Sequence, residues 1–81
     1  MQIFFHDRFK DCLKDFPDTV KKKLKKQISY LIKDIRHPSL HAKKYDESLD
    51  IWQARVDKNV RFYFSIDGNT YNLLEIKKHL K

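Results

Sequence analysis

Arg55 and Arg61 flank a short polar turn, and the residues around them fix how the two guanidinium groups must sit. Trp52-Gln53-Ala54-Arg55-Val56 alternates apolar and polar residues, and Val60-Arg61-Phe62-Tyr63-Phe64-Ser65-Ile66 does much the same. Alternation of period two predicts a pair of half-buried strands, and the polar Asp57-Lys58-Asn59 between them supplies turn formers. Trp52, Ala54 and Val56 must share a core face with Phe62, Phe64 and Ile66, because a slip of one residue would turn one set into water. With residues 57–59 as the loop, Val56 faces Val60 and Arg55 falls opposite Arg61, both on the solvent side. Like charges directly opposite on a sheet are destabilising. An anion held between them removes that penalty, and planar guanidinium forks suit phosphate oxygens.

The rest of the chain must position this hairpin. Ile3-Phe4-Phe5 is a short β-prone run, and Phe9, Cys12, Leu13 and Phe16 recur at helical spacing, which predicts a short helix from about Asp7 to Asp15. Pro17-Asp18 then starts a longer helix, with an acidic residue at the positive end of its dipole. Its apolar stripe is Val20, Leu24, Ile28, Leu31 and Ile35, and Pro38 marks its end. Lys21, Lys22, Lys23, Lys25 and Lys26 take the other faces of the first turns, as a solvated surface or as a track for a nucleic-acid backbone. Lysines near a helix start oppose the dipole, which favours a use for them. From Arg36 to Asp50 the chain reads as a polar, irregular loop, long for a compact domain and therefore a place to look for function. Asp67-Gly68-Asn69 is a turn signal leading into a last, mostly apolar strand, Thr70 to Ile76. The order is strand, two helices, then three strands. It predicts a small α+β domain, with helices packed on one face of a mainly antiparallel sheet.

Composition narrows the class. Eighty-one residues make one domain spanning 1–81, and 41% hydrophobic content supports a core despite 36% charged residues. Lys and Arg number 18 against 11 Asp and Glu, a formal charge of +7 that points to a polyanionic partner. Cys12 has no second cysteine to pair with and reads as a small core hydrophobe. No signal peptide or membrane-spanning run is visible, so the expected setting is a reducing cytoplasm with no membrane partner. Several site chemistries are disfavoured. His37 and His41 have ligand spacing for a helix, but Pro38 between them argues against a helix and no Glu accompanies them. A single Gly excludes a glycine-rich phosphate loop, and one Cys excludes a Cys-x-x-Cys pair.

A chain of motifs then aligns along nearly the whole length. Leu31-Ile32-Lys33-Asp34 is followed by His37-Pro38-Ser39-Leu40, Lys43-Lys44, Trp52-Gln53-Ala54-Arg55-Val56, Arg61-Phe62-Tyr63-Phe64 and Ile76-Lys77-Lys78-His79. In order and spacing these resemble the RelE/ParE superfamily of bacterial type II toxin–antitoxin toxins, on the RelE, YoeB and YafQ side. That resemblance implies a RelE-like fold and a metal-independent mRNA endoribonuclease with no cofactor, commonly acting on the ribosome and inhibiting translation. It also implies an acidic antitoxin as protein partner, with DNA met only indirectly through the antitoxin complex. Members on the ParE side inhibit DNA gyrase and lack the basic nuclease set, and a small basic nucleic-acid-binding module without toxicity is a further alternative.

Metal-free RNA cleavage needs a base for the 2′-hydroxyl, an acid for the departing 5′-oxygen and cations around the phosphorane. By the resemblance, Arg61 is the phosphate-binding arginine that stabilises the transition state, with Arg55 across the hairpin on the same or the neighbouring phosphate. His79 matches a C-terminal histidine that serves in proton transfer. His41 lies near the place of a carboxylate base, and an imidazole is a suitable substitute. Which of the two is base and which acid stays open. Lys43 and Lys44, with Lys77 and Lys78, are expected to neutralise substrate phosphates, and Tyr63, Tyr45 or Tyr71 to stack a base. One departure from the family pattern is Leu80, where several nuclease members carry an aromatic residue beside or beyond the final histidine. It leaves room for reduced or altered cleavage.

Overall fold

The computed structural model describes residues 1–79. Strand β1 (Gln2–Phe5) leads into helix α1 (Asp7–Leu13) and helix α2 (Asp18–Lys33), and a single 3-10 turn at Pro38–Leu40 precedes four strands. These are β2 (Lys43–Asp46), β3 (Ile51–Arg55), β4 (Val60–Asp67) and β5 (Thr70–Lys78). They form one sheet in the order β1-β5-β4-β3-β2, antiparallel except for the parallel pair of β1 with β5.

The α+β class stands as expected, with one strand more than the sequence predicts. Lys43–Asp46, read as loop, pairs with β3 at the sheet edge. Its residues Lys43-Lys44-Tyr45-Asp46 carry no hydrophobic alternation because neither face of this edge strand is fully buried, so periodicity alone gives no signal. Asp46 also shapes the turn into β3. Its carboxylate accepts from the Ser48 hydroxyl (2.7 Å) and the Leu49 N–H (3.1 Å), which hold it below the usual carboxylate range. Helix α2 stops at Lys33, before Pro38, because Asp34 turns extended and its side chain accepts from the Arg36 N–H. Pro38 opens the 3-10 turn instead.

The core forms where helices and sheet meet. Phe9, Phe62, Phe64, Leu31, Leu40 and Leu73 are fully buried, and Leu24, Ala54, Val56, Val60 and Ile76 join them. Ile28 and Trp52 are half-buried against this cluster. Cys12 does the same and is unpaired. The hairpin has the register derived from burial parity, with Trp52 opposite Phe64, Ala54 opposite Phe62 and Arg55 opposite Arg61. Two irregularities interrupt the ladders, at Tyr45 in β2 and at Leu74 in β5, each an extra residue facing a regular partner strand. No helix among the described residues is long and apolar enough to cross a membrane.

Leu31 and Ile32 are neighbours on α2 with opposite fates, one fully buried and the other 42% exposed. Leu31→Ala should destabilise the domain by about 2–5 kcal/mol. Ile32→Ala should change stability by no more than about 0.5 kcal/mol. Denaturant unfolding of both variants checks the packing face of the helix.

Candidate active site

The hairpin loop is the anchor of the site. Val56 and Asp57 both donate from backbone N–H to the Val60 carbonyl, at 2.9 and 3.3 Å, and the Asp57 carboxylate accepts from the Asn59 N–H at 2.7 Å. Arg61, expected on the solvent side, is buried, with 9% exposure. The reason is local. Its Nη1 turns back over the loop and donates to the carbonyls of Asp57 (2.8 Å) and Lys58 (3.2 Å). Among the described residues its other guanidinium nitrogens bond no protein group, and no buried side-chain nitrogen or oxygen lacks a partner. The remaining edge of the fork therefore opens into the adjoining cleft, which Arg61 lines.

Arg61 also stands in the middle of a row of cations. Arg55 lies opposite it on β3 and Lys77 opposite it on β5. The three charges are relieved differently. Arg61 has the loop carbonyls, and Lys77 has Glu75 at 2.9 Å, whose carboxylate keeps the ammonium above its ordinary range. Arg55 makes no ion pair among the described residues, so its charge is the one left for a ligand.

His79 reaches the same loop from the other side. Ile76, buried opposite Phe62, anchors the end of β5 in the core. Beyond the last residue of the strand the His79 N–H donates to the Asn59 carbonyl at 2.6 Å, so the backbone of the hairpin loop fixes where the imidazole starts.

His41 comes from a third direction. It follows the 3-10 turn in a left-handed conformation (φ 46°, ψ 42°), which directs the chain into β2. Gln27 on α2 holds this turn in place. Its buried amide donates to the carbonyls of Arg55 (2.8 Å) and Ser39 (3.0 Å) and accepts from the Ser39 hydroxyl (3.1 Å). His37 takes a capping role at the 3-10 turn. Its Nδ1 accepts from the Ser39 N–H at 3.2 Å, and its ring stacks on Tyr30 at 3.8 Å.

These elements enclose a cleft of about 410 Å³ lined by His41, Ala42, Lys43, Gln53, Arg55, Arg61 and His79. Five of the nine site residues expected from sequence meet here, with three fixed or titratable cations and two imidazoles. No carboxylate lines the cleft among the described residues, so its electrostatics favour an anion.

The other four lie elsewhere. Lys44 turns to the opposite side of β2, paired with Asp50 and over the Trp52 ring at 5.3 Å. Lys77 lies over the Tyr63 ring at 5.3 Å. Tyr63 lines a separate cavity with Tyr45, Leu74 and Glu75, and burial pushes its phenol up, with Tyr45 adding to the effect. Lys78 sits opposite Val60, exposed and outside the cleft. Leu80 falls outside the described residues. Two residues were missed. Gln53 shares the face of Arg55 by the same alternation that placed the arginine. Gln27 is a polar residue inside the apolar stripe of α2, the one sign of its role.

Comparison with known proteins agrees on shape. No protein-family model and no curated sequence matches the chain. Solved structures do. A YoeB/ParE toxin from Agrobacterium tumefaciens superposes with a TM-score of 0.80 at 12% identity, covering 99% of this chain and 100% of that one. The YoeB dimer from Staphylococcus aureus gives 0.78 at 15% identity, covering 99% and 98%. The RelB–RelE antitoxin–toxin complex from Methanococcus jannaschii gives 0.74 at 19% identity, covering 93% and 88%. The chain shares the fold of these YoeB/ParE and RelE structures.

The bonding predicts which site residues also hold the fold. Gln27→Leu keeps the bulk but strips two part-buried carbonyls of a donor, and Arg61→Ala strips the loop carbonyls. Each should cost about 1–3 kcal/mol. Arg55→Ala, at a half-buried position without side-chain partners, should cost less than about 1 kcal/mol. Chemical denaturation of the three variants gives the order.

Proposed function

We propose that this protein is the toxin of a toxin–antitoxin pair and that it cleaves mRNA in the cytoplasm without a metal ion. The observation that carries the reading is the cleft itself, where Arg55, Arg61 and Lys43 surround a cavity with His41 and His79 and no carboxylate. The likeness to YoeB and RelE structures supports the toxin role, and the antitoxin–toxin complex among them supports a cognate protein partner for this strongly basic chain.

In this reading a phosphodiester sits between Arg55 and the open edge of Arg61. The 2′-oxygen attacks phosphorus as one imidazole takes its proton. The P–O5′ bond breaks, the other imidazole protonates the leaving 5′-oxygen, and a 2′,3′-cyclic phosphate and a 5′-hydroxyl result. The extra negative charge of the phosphorane falls on donors already in place, which is where preorganised cations contribute most. Lys43 at the rim neutralises a flanking phosphate. His41, ahead of β2, and His79, after β5, come from strands on either side of the β3–β4 hairpin, which suits an acid and a base on opposite sides of one phosphate.

The test pairs cleavage with binding. His79→Gln keeps hydrogen bonding but cannot shuttle a proton, so cleavage should fall by roughly 10²–10⁴ while RNA affinity holds. Primer extension on mRNA after induced expression reads the cleavage, and gel shift reads the affinity. Unchanged cleavage removes His79 from proton transfer. Growth arrest with intact mRNA and trapped gyrase–DNA complexes would replace the nuclease with a gyrase inhibitor.

A further inference from the structure

A second cavity, of about 360 Å³, adjoins the cleft and shares two of its walls, His41 and Arg55. Its far side is built from α2, with Lys23 and Lys26 one helical turn apart, and its near side from the hairpin loop with Lys58. The cavity among Tyr45, Tyr63 and Glu75 shares no wall with the cleft and carries a carboxylate. A strand leaving the cleft toward the basic side therefore passes over His41 and Arg55 into the α2 cavity.

The charges there are available to different degrees. One carboxylate, Asp57, lines the α2 cavity, and it is already used: one oxygen accepts from the Asn59 N–H at 2.7 Å and the other lies 3.5 Å from the Lys23 ammonium. Lys26 and Lys58 make no ion pair among the described residues, and both are exposed. Tyr30 offers little for base stacking, since one ring face is covered by His37 and the Lys26 ammonium lies 5.9 Å from its centroid. What remains is a pair of exposed point charges with no hydrogen-bonding pattern to read a base, the chemistry of a backbone contact.

We infer that the α2 cavity is a subsite for the phosphate next to the scissile one, held by Lys26 and Lys58 without regard to base. This rests on the RNA reading of the cleft and names how far along the strand the protein reaches. It also separates the lysines of α2, since Lys26 lines the cavity whereas Lys22 and Lys25 on the same helix line neither cavity.

Salt dependence of binding tests it. The probe is an uncleavable 2′-O-methyl oligouridine, measured by fluorescence anisotropy as a hexamer and as a dinucleotide. Each phosphate contact contributes about 0.7 to the slope of log K against log salt for a single strand, so Lys26→Ala/Lys58→Ala, which gives up this one phosphate, should shallow the hexamer slope by about 0.7. The dinucleotide, which fills the cleft alone, should keep its wild-type slope. Lys22→Ala/Lys25→Ala, with the same loss of charge, should leave both slopes unchanged.

Equal effects of the two double variants on the hexamer would overturn the subsite and leave the cleft reading standing. Absence of wild-type binding, or binding indifferent to Arg55→Ala, would overturn both. RNA binding with the expected slopes but no cleavage of unmodified RNA would overturn the nuclease reading alone.

Discussion

Burying Trp52, Ala54 and Val56 against the same core as Phe62 and Phe64 leaves the opposite face of the β3–β4 hairpin no choice of register. Arg55 then stands opposite Arg61, and the next strand adds Lys77 to the row. Three cations side by side is an unfavourable arrangement that the hydrophobic effect on the other face imposes. Each Phe buried there contributes about 1.5–3 kcal/mol, against a few tenths to about 1 kcal/mol for cross-strand charge pairs, so packing decides and electrostatics must adapt. The adaptation is uneven. Loop carbonyls take up Arg61, Glu75 takes up Lys77, and Arg55 keeps its charge for the cleft.

A sheet face alone makes no cleft. Its walls come from outside the hairpin, and the buried Gln27 amide ties one of them down. By bonding the Arg55 and Ser39 carbonyls at once, it links α2, the 3-10 turn and β3, so moving the His41 turn costs the buried Gln27 amide a partner. His79 is fixed by a different device, one backbone hydrogen bond beyond the end of β5. The two histidines thus depend on separate supports that meet at the hairpin.

Hydrophobic period carried much of the fold. It located both helices and the hairpin register, because each buries a face against a shared core, whereas β1 and the terminal strand were legible as β-prone and mostly apolar runs. It was silent on β2, an edge strand whose residues Lys43-Lys44-Tyr45-Asp46 owe their conformation to pairing with β3 rather than to burial. The same parity that aligned Arg55 and Arg61 also put Gln53 in the cleft. What it does not encode is where a long side chain bends. Arg61 bends onto its own loop and becomes buried, Lys44 turns toward Asp50, and Lys77 lies along Tyr63. A strand position fixes the Cβ direction, whereas three or four further torsions are settled by whichever acceptor lies in reach. Gln27 was hidden for another reason, since a helical stripe tolerates one polar residue without losing its period.

The two bonding schemes around residues 57–59 make the loop a shared support. Arg61 holds the loop through its carbonyls, and the Asn59 carbonyl holds His79. An anion drawing on the open edge of Arg61 would therefore act on a side chain that already braces the histidine's attachment point. Removing the guanidinium takes away an anion donor and loosens the loop at once, so the effect of Arg61→Ala on anion binding mixes charge with positioning. Arg55 lacks that second duty: among the described residues its side chain has no hydrogen-bond or ion-pair partner, and Gln27 contacts only its backbone, which any residue retains. Substitutions at Arg55 consequently report on the charge alone, and the difference between the two arginines measures how much of the site is electrostatics and how much is the bracing of one short loop.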